Sequence, residues 1–304
     1  MRQKAVEEKQ RLAGVTAGIS GEWSAIGPQP IQAYGTAYSG RVWGIAVDPR
    51  NSNVAYIGTD GGGVWKTTNG GTNWAPLTDS QANINILDLA LAPSAPDTVF
   101  AATSGGGILK STDAGGTWTT SLPSSGGYVY SVAVHPTNAS IVLAGGCDQI
   151  NRSADGGNTW SVTLTVQGSC WGLQQVVFDP TNGSVAYAAM ADGLHRSTDG
   201  GLTWSLAGGI GLPSGPFSWV TVAIAPSSPN ILYLALKGSD MHLIGFYRSV
   251  KRHHLDAYRC SRERRRNVLG MVPARASDES ESDLCGLALF EHVHRRREHL
   301  GKER

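Results

Sequence analysis

Short apolar stretches recur along the chain, and each one ends at a proline. Five of them align as VWGIAVDP, ILDLALAP, VYSVAVHP, LQQVVFDP and WVTVAIAP, in residues 42–49, 86–93, 129–136, 173–180 and 219–226. A second apolar stretch follows each proline turn, as in NVAYIGT and DTVFAAT. Runs of this length that are rich in β-branched and aromatic residues and bounded by Pro, Gly and Asn predict strands. The chain is therefore predicted to be all-β.

A polar turn with a fixed pattern follows the apolar stretches and is called a box below. Its four copies are TTNGGTNW, STDAGGTW, SADGGNTW and STDGGLTW, and their acidic or amide positions recur every 42 to 44 residues. Asp or Asn accepts backbone hydrogen bonds in a tight turn, Gly supplies positive φ, and Trp buries a large apolar surface on the hairpin. We therefore interpret these positions as structural, and not as catalytic residues or calcium ligands. They are Asn69, Asp113, Asp155 and Asp199, with Trp74, Trp118, Trp160 and Trp204 closing the boxes.

The order within each repeat is strand, turn, strand, Gly-rich turn, strand, box and strand. A unit of about 43 residues with four strands has the size of one β-propeller blade. The fold class predicted is an all-β propeller of four-stranded antiparallel blades in an incomplete ring of about five. The predicted organisation is a charged segment at residues 1–20, blades at 21–250 and a non-propeller tail at 251–304.

The recurring S-x-D-G-G-x-T-W resembles the Asp-box repeat, also called the BNR repeat, over residues 21–250. The segments GEWSAIGPQPI, SGRVWGIAVDP and GGGVWKTTNGGTNW are similar to secreted bacterial proteins of the type that resembles the sortilin N-terminal propeller. They also resemble xyloglucanase-type glycoside hydrolases. The resemblance implies an extracellular or periplasmic protein and a closed propeller of six or more blades, of which this chain would hold only part.

The net charge and the cysteine content say little about the function of the chain. The formal net charge is +1, which gives no overall attraction to nucleic acid or anionic membranes. No apolar run is long enough to span a bilayer, and residues 1–12 lack the apolar core of a secretion signal. Cys147 and Cys170 would either form a disulfide between neighbouring blades or remain buried thiols; no cysteine spacing indicates zinc.

Aromatic residues at the entries of the inner strands are the candidate ligand-binding positions. Propeller ligands bind where inner strands and their loops converge on the central channel, and aromatic rings there can stack on sugars. Packing between blades would explain the same residues. The candidates are Trp43, Tyr130, Trp171 and Trp219.

Asp60 is the one acid with a case for catalysis. Its segment, TDGGG, resembles the segment that bears a catalytic Asp in xyloglucanase-type enzymes. The alternative is that Asp60 simply begins a Gly-rich turn. Glycoside hydrolysis needs two carboxyl groups across the scissile bond, and the sequence offers no convincing second one.

The chain changes character at Lys251. Residues 251–304 hold 13 of the 25 Lys and Arg residues and no Trp. One interpretation is a basic arm that binds nucleic acid. The other is a frameshift: read one base later, the triplets of residues 251–256 permit Asn-Gly-Thr-Thr-Trp-Thr, and those of residues 293–300 permit Ser-Thr-Asp-Gly-Gly-Asn-Thr-Trp. The Asp of this second box would come from the triplet of Arg295, 44 residues after Lys251.

The function expected from these patterns is a non-catalytic recognition scaffold. It would have an unknown protein or carbohydrate ligand and no cofactor, metal or membrane span, and it would bind nucleic acid only if the tail is genuine. Two alternatives stay open: a fragment of a xyloglucanase-like hydrolase, and a propeller that resembles photosystem assembly factors. Function inferred from this fold is analogy, because propellers serve unrelated activities.

Overall fold

The computed structural model describes residues 31–33, 36–38, 41–123, 128–167, 174–207, 212–240, 242–251 and 254–258. Side chains are described only between residues 41 and 249 of these ranges. Cys170, Trp171, the N-terminal charged segment and the tail beyond residue 258 lie outside them. The described part contains strands and turns and no helix.

Twenty of the strands form five four-stranded antiparallel sheets, each built from consecutive strands. Blade 1 comprises β3 (Val42–Val47), β4 (Ala55–Thr59), β5 (Gly63–Thr67) and β6 (Ala75–Pro76), and blade 2 comprises β7 (Ile86–Ala92), β8 (Ala95–Thr103), β9 (Gly107–Ser111) and β10 (Thr119–Leu122). Blade 3 comprises β11 (Val129–Val134), β12 (Val142–Gly146), β13 (Gln149–Ser153) and β14 (Ser161–Thr165), and blade 4 comprises β15 (Gln175–Asp179), β16 (Asn182–Met190), β17 (Gly193–Ser197) and β18 (Ser205–Leu206). Blade 5 comprises β19 (Phe217–Ile224), β20 (Leu232–Gly238), β21 (Leu243–Lys251) and β22 (His254–Tyr258); a separate hairpin pairs β1 (Ile31–Ala33) with β2 (Thr36–Tyr38).

The first strands of consecutive blades pack against one another, from β3 through β7, β11 and β15 to β19. The blades are therefore arranged around a common axis with their first strands innermost. The prediction of an all-β, incomplete propeller of about five four-stranded blades is confirmed.

Each box is a turn closed by its own polar side chains. In blade 3, Ser153 Oγ donates to Asp155 Oδ1 at 2.8 Å and accepts from Gly157 N at 2.7 Å. The same Oδ1 accepts from Thr159 N at 2.8 Å, while Thr159 Oγ1 donates to Asp155 Oδ2 at 2.6 Å. Gly157 has φ of 85°, a conformation that side chains disfavour. The other three boxes repeat the contact between the hydroxyl and the Asp or Asn, at Thr67–Asn69, Ser111–Asp113 and Ser197–Asp199.

These hydrogen bonds favour the ionised form of the box carboxylates. The backbone N–H and hydroxyl of Thr117, with Ser111, lower the pKa of Asp113 to about 2. Burial acts to raise the pKa of Asp199, but bonds from Thr203 and Ser197 bring it to about 2. The contribution of the boxes to stability is therefore present above the unfolded-state pKa of about 3.9 and is lost as the pH falls toward 2.

Apolar side chains of each inner strand are buried against the preceding blade. Tyr56 and Val64 of blade 1 form one cluster with Ile86, Leu89 and Leu91 of blade 2. The position of Leu89 in β7 is also buried in the inner strands of the next three blades, where Val132, Val176 and Val222 are at most 4% exposed.

Blade 1 has no described blade before it, and its inner strand is exposed accordingly. The residue at the same position, Ile45, is 67% exposed, and Val42 and Val47 are 44% and 50% exposed. An apolar strip of this kind on one face of a sheet has the character of an interface. The first blade therefore presents the surface on which a preceding blade would pack.

Blade 5 differs from the others at its last hairpin. In blades 1 to 4, the residue before the box Ser or Thr pairs with a residue nine positions later, as in Arg152 with Ser161. In blade 5, Arg248 pairs with Asp256, which is eight positions later. The sequence placed the end of the blades at Val250, but the sheet continues through β22 because residues 254–258 pair with the open edge of β21.

The boxes generate a first test, on Asp199. Asp199→Ala removes the acceptor of Ser197 Oγ, Leu202 N, Thr203 N and Thr203 Oγ1. We expect the Tm in a thermal melt to fall by about 5 °C, since several local hydrogen bonds are lost together.

Asp199→Asn is the matched control, because blade 1 carries Asn69 in the same role and its Oδ1 accepts from Asn73 N at 2.9 Å. The fall in Tm for Asp199→Asn should be less than half of the fall for Asp199→Ala. An equal fall in Tm for Asp199→Ala and Asp199→Asn would mean that the turn depends on the charge of the side chain and not on the geometry of its acceptor atom.

Candidate functional site

The loops that join one blade to the next form a rim together with the turns between the second and third strands. We call this rim the loop face. Backbone hydrogen bonds hold it together: Gly63 N donates to Ile84 O at 2.7 Å, and Ser104 N donates to Asn85 O at 2.9 Å. Later in the chain, Phe217 N donates to Ala191 O at 2.7 Å. Asp60, Trp43, Tyr130 and Trp219 lie along this side of the blades.

Trp43 follows the start of β3 on the loop face. The guanidinium of Arg41 lies 4.7 Å from the centre of its ring, a cation–π geometry. Its indole Nε1 is buried and has no hydrogen-bond partner among the described residues. Arg41 O in turn accepts from Asp60 N at 2.9 Å, which places the backbone of the predicted acid beside this tryptophan.

Tyr130 is half-buried and stacks on Tyr128. The ring centroids are 6.0 Å apart with an interplanar angle of 16°, and Tyr128 is 47% exposed. Burial raises the pKa of Tyr130, and its hydroxyl lies 3.9 Å from Cys147 Sγ. The two rings form an aromatic platform on the loop face. Tyr128 was not among the predicted positions, although residues two apart in an extended chain point to the same side.

Trp219 does not take the position of Trp43 or Tyr130. The first two blades have a register shift in β3 between Val42 and Gly44 and in β7 between Ile86 and Asp88. In β19 the shift lies between Phe217 and Trp219, because this strand is longer. Trp219 therefore pairs with Lys237, whose Nζ lies 4.4 Å from the ring centre, and it donates from Nε1 to Thr221 Oγ1 at 2.8 Å.

The structure does not bring the predicted aromatic residues together. The ring contacts found among the described side chains include Tyr128 with Tyr130 but none that joins Trp43, Tyr130 and Trp219. Trp171, the fourth candidate, lies outside the described residues. The described part of the loop face thus offers separate aromatic positions on different blades.

Asp60 is exposed at the turn after β4. The neighbouring Gly61 and Gly63 both have φ of 75°, so the turn needs glycine on both sides of Gly62. Within the described ranges, no hydrogen bond or ion pair is made by the Asp60 carboxylate. Asp60 therefore lacks the orienting partner that a catalytic carboxyl group usually has.

Asp88, on the inner strand of blade 2, carries a carboxyl group that is held in the interior between two blades. Its Oδ2 accepts from Val132 N at 3.0 Å and from Ser131 Oγ at 2.9 Å, both in blade 3, and its Oδ1 accepts from Leu89 N at 2.8 Å. Desolvation raises the pKa of Asp88 to about 6, although these hydrogen bonds oppose the shift. In the sequence, this buried carboxyl group was indicated by an Asp inside the otherwise apolar segment ILDLALA.

The contact made by Asp88 is repeated around the axis. Val176 N of blade 4 donates to Ser131 Oγ of blade 3 at 3.3 Å, and Val222 N of blade 5 donates to Gln175 Oε1 of blade 4 at 3.0 Å. At the equivalent position of blade 1, Gly44 brings its backbone close to Leu89 N, which a Cβ would approach to 2.8 Å. We call this series the polar ladder. Asp88 is one of its members, which assigns it a structural role.

Cys147 is disulfide-bonded. Its predicted partner, Cys170, lies outside the described residues. No group of three or more His, Cys, Asp or Glu side chains that could hold a metal ion occurs in the described part of the chain. The same part has no helix that is long and apolar enough to cross a membrane.

Comparisons with known proteins support the architecture. No protein-family model matches the chain, and no curated protein sequence does. An ancestral GH74 enzyme superposes with a TM-score of 0.61 and 22% identity over 79% of this chain and 33% of that one. The Niastella koreensis GH74 enzyme gives 0.57 and 24% identity over 72% and 37%, and YCF48 bound to D1 peptide gives 0.51 and 15% over 75% and 70%.

These likenesses show a shared β-propeller fold. The chain spans about one third of the length of both GH74 structures. At identities below one quarter, the positions of individual side chains do not carry over from one protein to another.

The polar ladder generates a test at Asp88. The raised pKa means that folding favours the neutral carboxyl group, so the contribution of Asp88 to stability is full below about pH 4 and declines as the pH rises to about 6. The free energy of unfolding of the native protein minus that of Asp88→Asn should therefore fall between pH 4 and pH 7. We expect a fall of at most about 2–3 kcal/mol, because the pKa is raised by about two units and each unit corresponds to about 1.4 kcal/mol.

Denaturant unfolding at a series of pH values measures this difference. Ser131→Ala is the control, since it removes the hydroxyl that bonds to Asp88 and Val176 but keeps the carboxyl group of Asp88, and its own profile should retain the slope. A difference between native protein and Asp88→Asn that does not change with pH would contradict the assignment.

Proposed function

We propose that this chain forms part of a non-catalytic Asp-box propeller that serves as a recognition scaffold in an exported bacterial protein. The proposal is based on the contacts that the acidic side chains of the chain make. The carboxylates of Asp113, Asp155 and Asp199 bind their own turns. Asp60 is left exposed on the loop face without a described polar partner.

Export is supported by the oxidised state of Cys147. Disulfides persist in extracellular and periplasmic compartments and are rare in the cytosol. We propose Cys170 as the partner of Cys147, which would tie the loop between blades 3 and 4 to the edge of blade 3. The proposed location is therefore extracellular or periplasmic.

The binding surface that we propose is the loop face around the aromatic platform of Tyr128 and Tyr130. Stacked tyrosines supply a rigid apolar surface whose hydroxyl groups can also form hydrogen bonds. A protein or a carbohydrate ligand would both suit such a surface. Among the proteins of similar fold, YCF48 is bound to D1 peptide, which illustrates peptide recognition by a propeller.

A fragment of a glycoside hydrolase is the second candidate function. Asp60 favours it, since this residue is exposed on the loop face and its backbone N–H bonds to the carbonyl of Arg41, two residues before Trp43. Retaining and inverting enzymes need a second carboxyl group at about 5.5 Å or about 6.5–9.5 Å. In this candidate, the second group would come from outside the described blades.

Incubation of the purified protein with xyloglucan and other β-glucans separates the two functions. We expect no release of reducing ends, because one carboxylate alone cannot act as both acid and base or nucleophile. The same preparation should bind its ligand with an affinity that falls at least about fivefold in Tyr128→Ala, because stacking on one aromatic side chain contributes about 1–3 kcal/mol.

Asp60→Asn is the control in both assays. Hydrolysis by the native protein that Asp60→Asn abolishes would establish the hydrolase and refute the scaffold. Retention of glycan or protein binding in Asp60→Asn, without hydrolysis in either protein, is the outcome that the scaffold requires.

We further propose that the coding frame is lost within the fifth box, so that residues 21–250 are the in-frame blade sequence and residues 251–304, which include β22, are an out-of-frame tail. Two observations support this. The residues that precede the break, Arg248 and Ser249, match the start of the other boxes. The hairpin that follows is one residue shorter than its counterparts, and a Gly missing from the restored box would account for that difference.

Sequencing of the coding DNA from codon 245 to beyond the stop tests this proposal. We expect a loss of two bases near codon 251, with the restored frame running into further boxes. A confirmed frame would refute the proposal and make the basic residues 262–266 a candidate surface for nucleic acid or acidic proteins.

A further inference from the structure

The backbone of the boxes in blades 2 to 4 contacts the preceding blade, and blades 1 and 2 show this contact most completely. Tyr56 OH and Lys66 Nζ of blade 1 both donate to the same oxygen of blade 2, Ala114 O, at 3.0 and 2.9 Å. Ala114 is the residue after the box residue Asp113. Tyr56 and Lys66 are directly paired across β4 and β5, so together they form one receptor for a backbone carbonyl.

Blades 3 and 4 make the same contact with different side chains. Arg152 Nε donates to Gly200 O, which again follows a box acid, at 2.9 Å. Its cross-strand partner, Leu143, packs so closely against the next glycine that a Cβ on Gly201 would lie 2.5 Å from it. We call such a cross-strand pair and the turn that it receives a box dock.

Blade 4 carries the same pair, and both of its donors are unused. Tyr187 and Arg196 are paired across β16 and β17. Tyr187 is 1% exposed, and neither its hydroxyl nor Arg196 Nε has a hydrogen-bond partner among the described residues. An unsatisfied buried donor is costly, because the group has given up its bonds to water. In blade 1 the tyrosine hydroxyl binds a carbonyl, and in blade 3 the same Arg Nε does so.

The next blade lacks a box. Its last hairpin is closed by the pairing of Lys251 with His254, and the segment contains no Asp-Gly-Gly or Asn-Gly-Gly. In the arrangement of blades 1 to 4, the acceptor for these two donors would come from the last hairpin of blade 5, whose sequence contains no such turn.

We propose that Tyr187 and Arg196 form a box dock whose occupant is an Asn-Gly-Gly or Asp-Gly-Gly turn of the fifth blade, at the sequence position now held by residues 251–256. The acceptor would be the carbonyl of the first Gly, as Gly200 O is for Arg152. The inference rests on the proposed loss of frame for the identity of the turn, but the receptor is defined by blade 4 alone.

The test is a double-mutant cycle in the full chain. In one protein, residues 251–256 are replaced by Asn-Gly-Gly-Thr-Thr-Trp-Thr, and Tyr187→Phe is introduced into both this protein and the native chain. In the box-restored chain, Tyr187→Phe should reduce the equilibrium constant for folding about fivefold, since one buried hydrogen bond is lost. In the native chain it should leave that constant unchanged or raise it, because an unpaired hydroxyl is removed.

Arg196→Met should lower the equilibrium constant for folding in the box-restored chain and leave it unchanged or raise it in the native chain. Tyr56→Phe is the matched control and should lower that constant equally in both proteins. Equal effects of Tyr187→Phe in the two proteins would overturn the proposal. If the box-restored chain does not fold, the native chain decides alone: a fivefold loss on Tyr187→Phe there would mean that the hydroxyl already has a partner.

The two proposals fail separately. An intact coding frame with coupling between Tyr187 and the restored turn would refute the frame loss and leave the box dock standing. A two-base loss in the DNA, without coupling between Tyr187 and the restored turn, would support the frame loss and refute the box dock.

Discussion

The structure depends on one constraint: a four-stranded blade cannot bury its own inner face. Leu89, Val132, Val176 and Val222 are removed from water only because the preceding blade covers them, whereas Ile45 has no described blade before it and is exposed. Burial of one such side chain contributes about 1.5–3 kcal/mol. Each blade is therefore stabilised mainly by its neighbours, as in other repeat proteins in which stability is a sum of nearest-neighbour terms.

Polar contacts add specificity to this apolar packing. Near the axis, the polar ladder joins the inner strands through Asp88, Ser131 and Gln175. At the outer side, the box dock joins the second and third strands of one blade to the box of the next. The apolar faces alone would allow one sheet to slide on another. Hydrogen bonds near the axis and at the outer side of the blades fix the position of each sheet relative to the next.

The blades and boxes could be predicted because they are local: alternation, proline turns and Gly-Gly pairs are read within a few residues. The offset of Trp219 by one position from Trp43 is visible in the aligned stretches, but its pairing with Lys237 could not be predicted, since this depends on where the bulge falls in β19. The partners of Asp88 and the stacking of Tyr128 on Tyr130 also escaped prediction. The former depends on contact with another blade, and the latter was missed although its two-residue spacing was visible in the sequence.

The polar contacts between blades also have a direction. In the polar ladder and in the box dock, the earlier blade supplies a side chain to a backbone group of the later blade, as in Gln175 with Val222 N and Lys66 with Ala114 O; Ser131 Oγ, which donates to Asp88, is a side chain that the later blade adds. During synthesis, an emerging blade meets side chains that are already in place and engages them mainly through its own main chain. The contacts themselves therefore favour assembly from the N-terminus to the C-terminus on the ribosome.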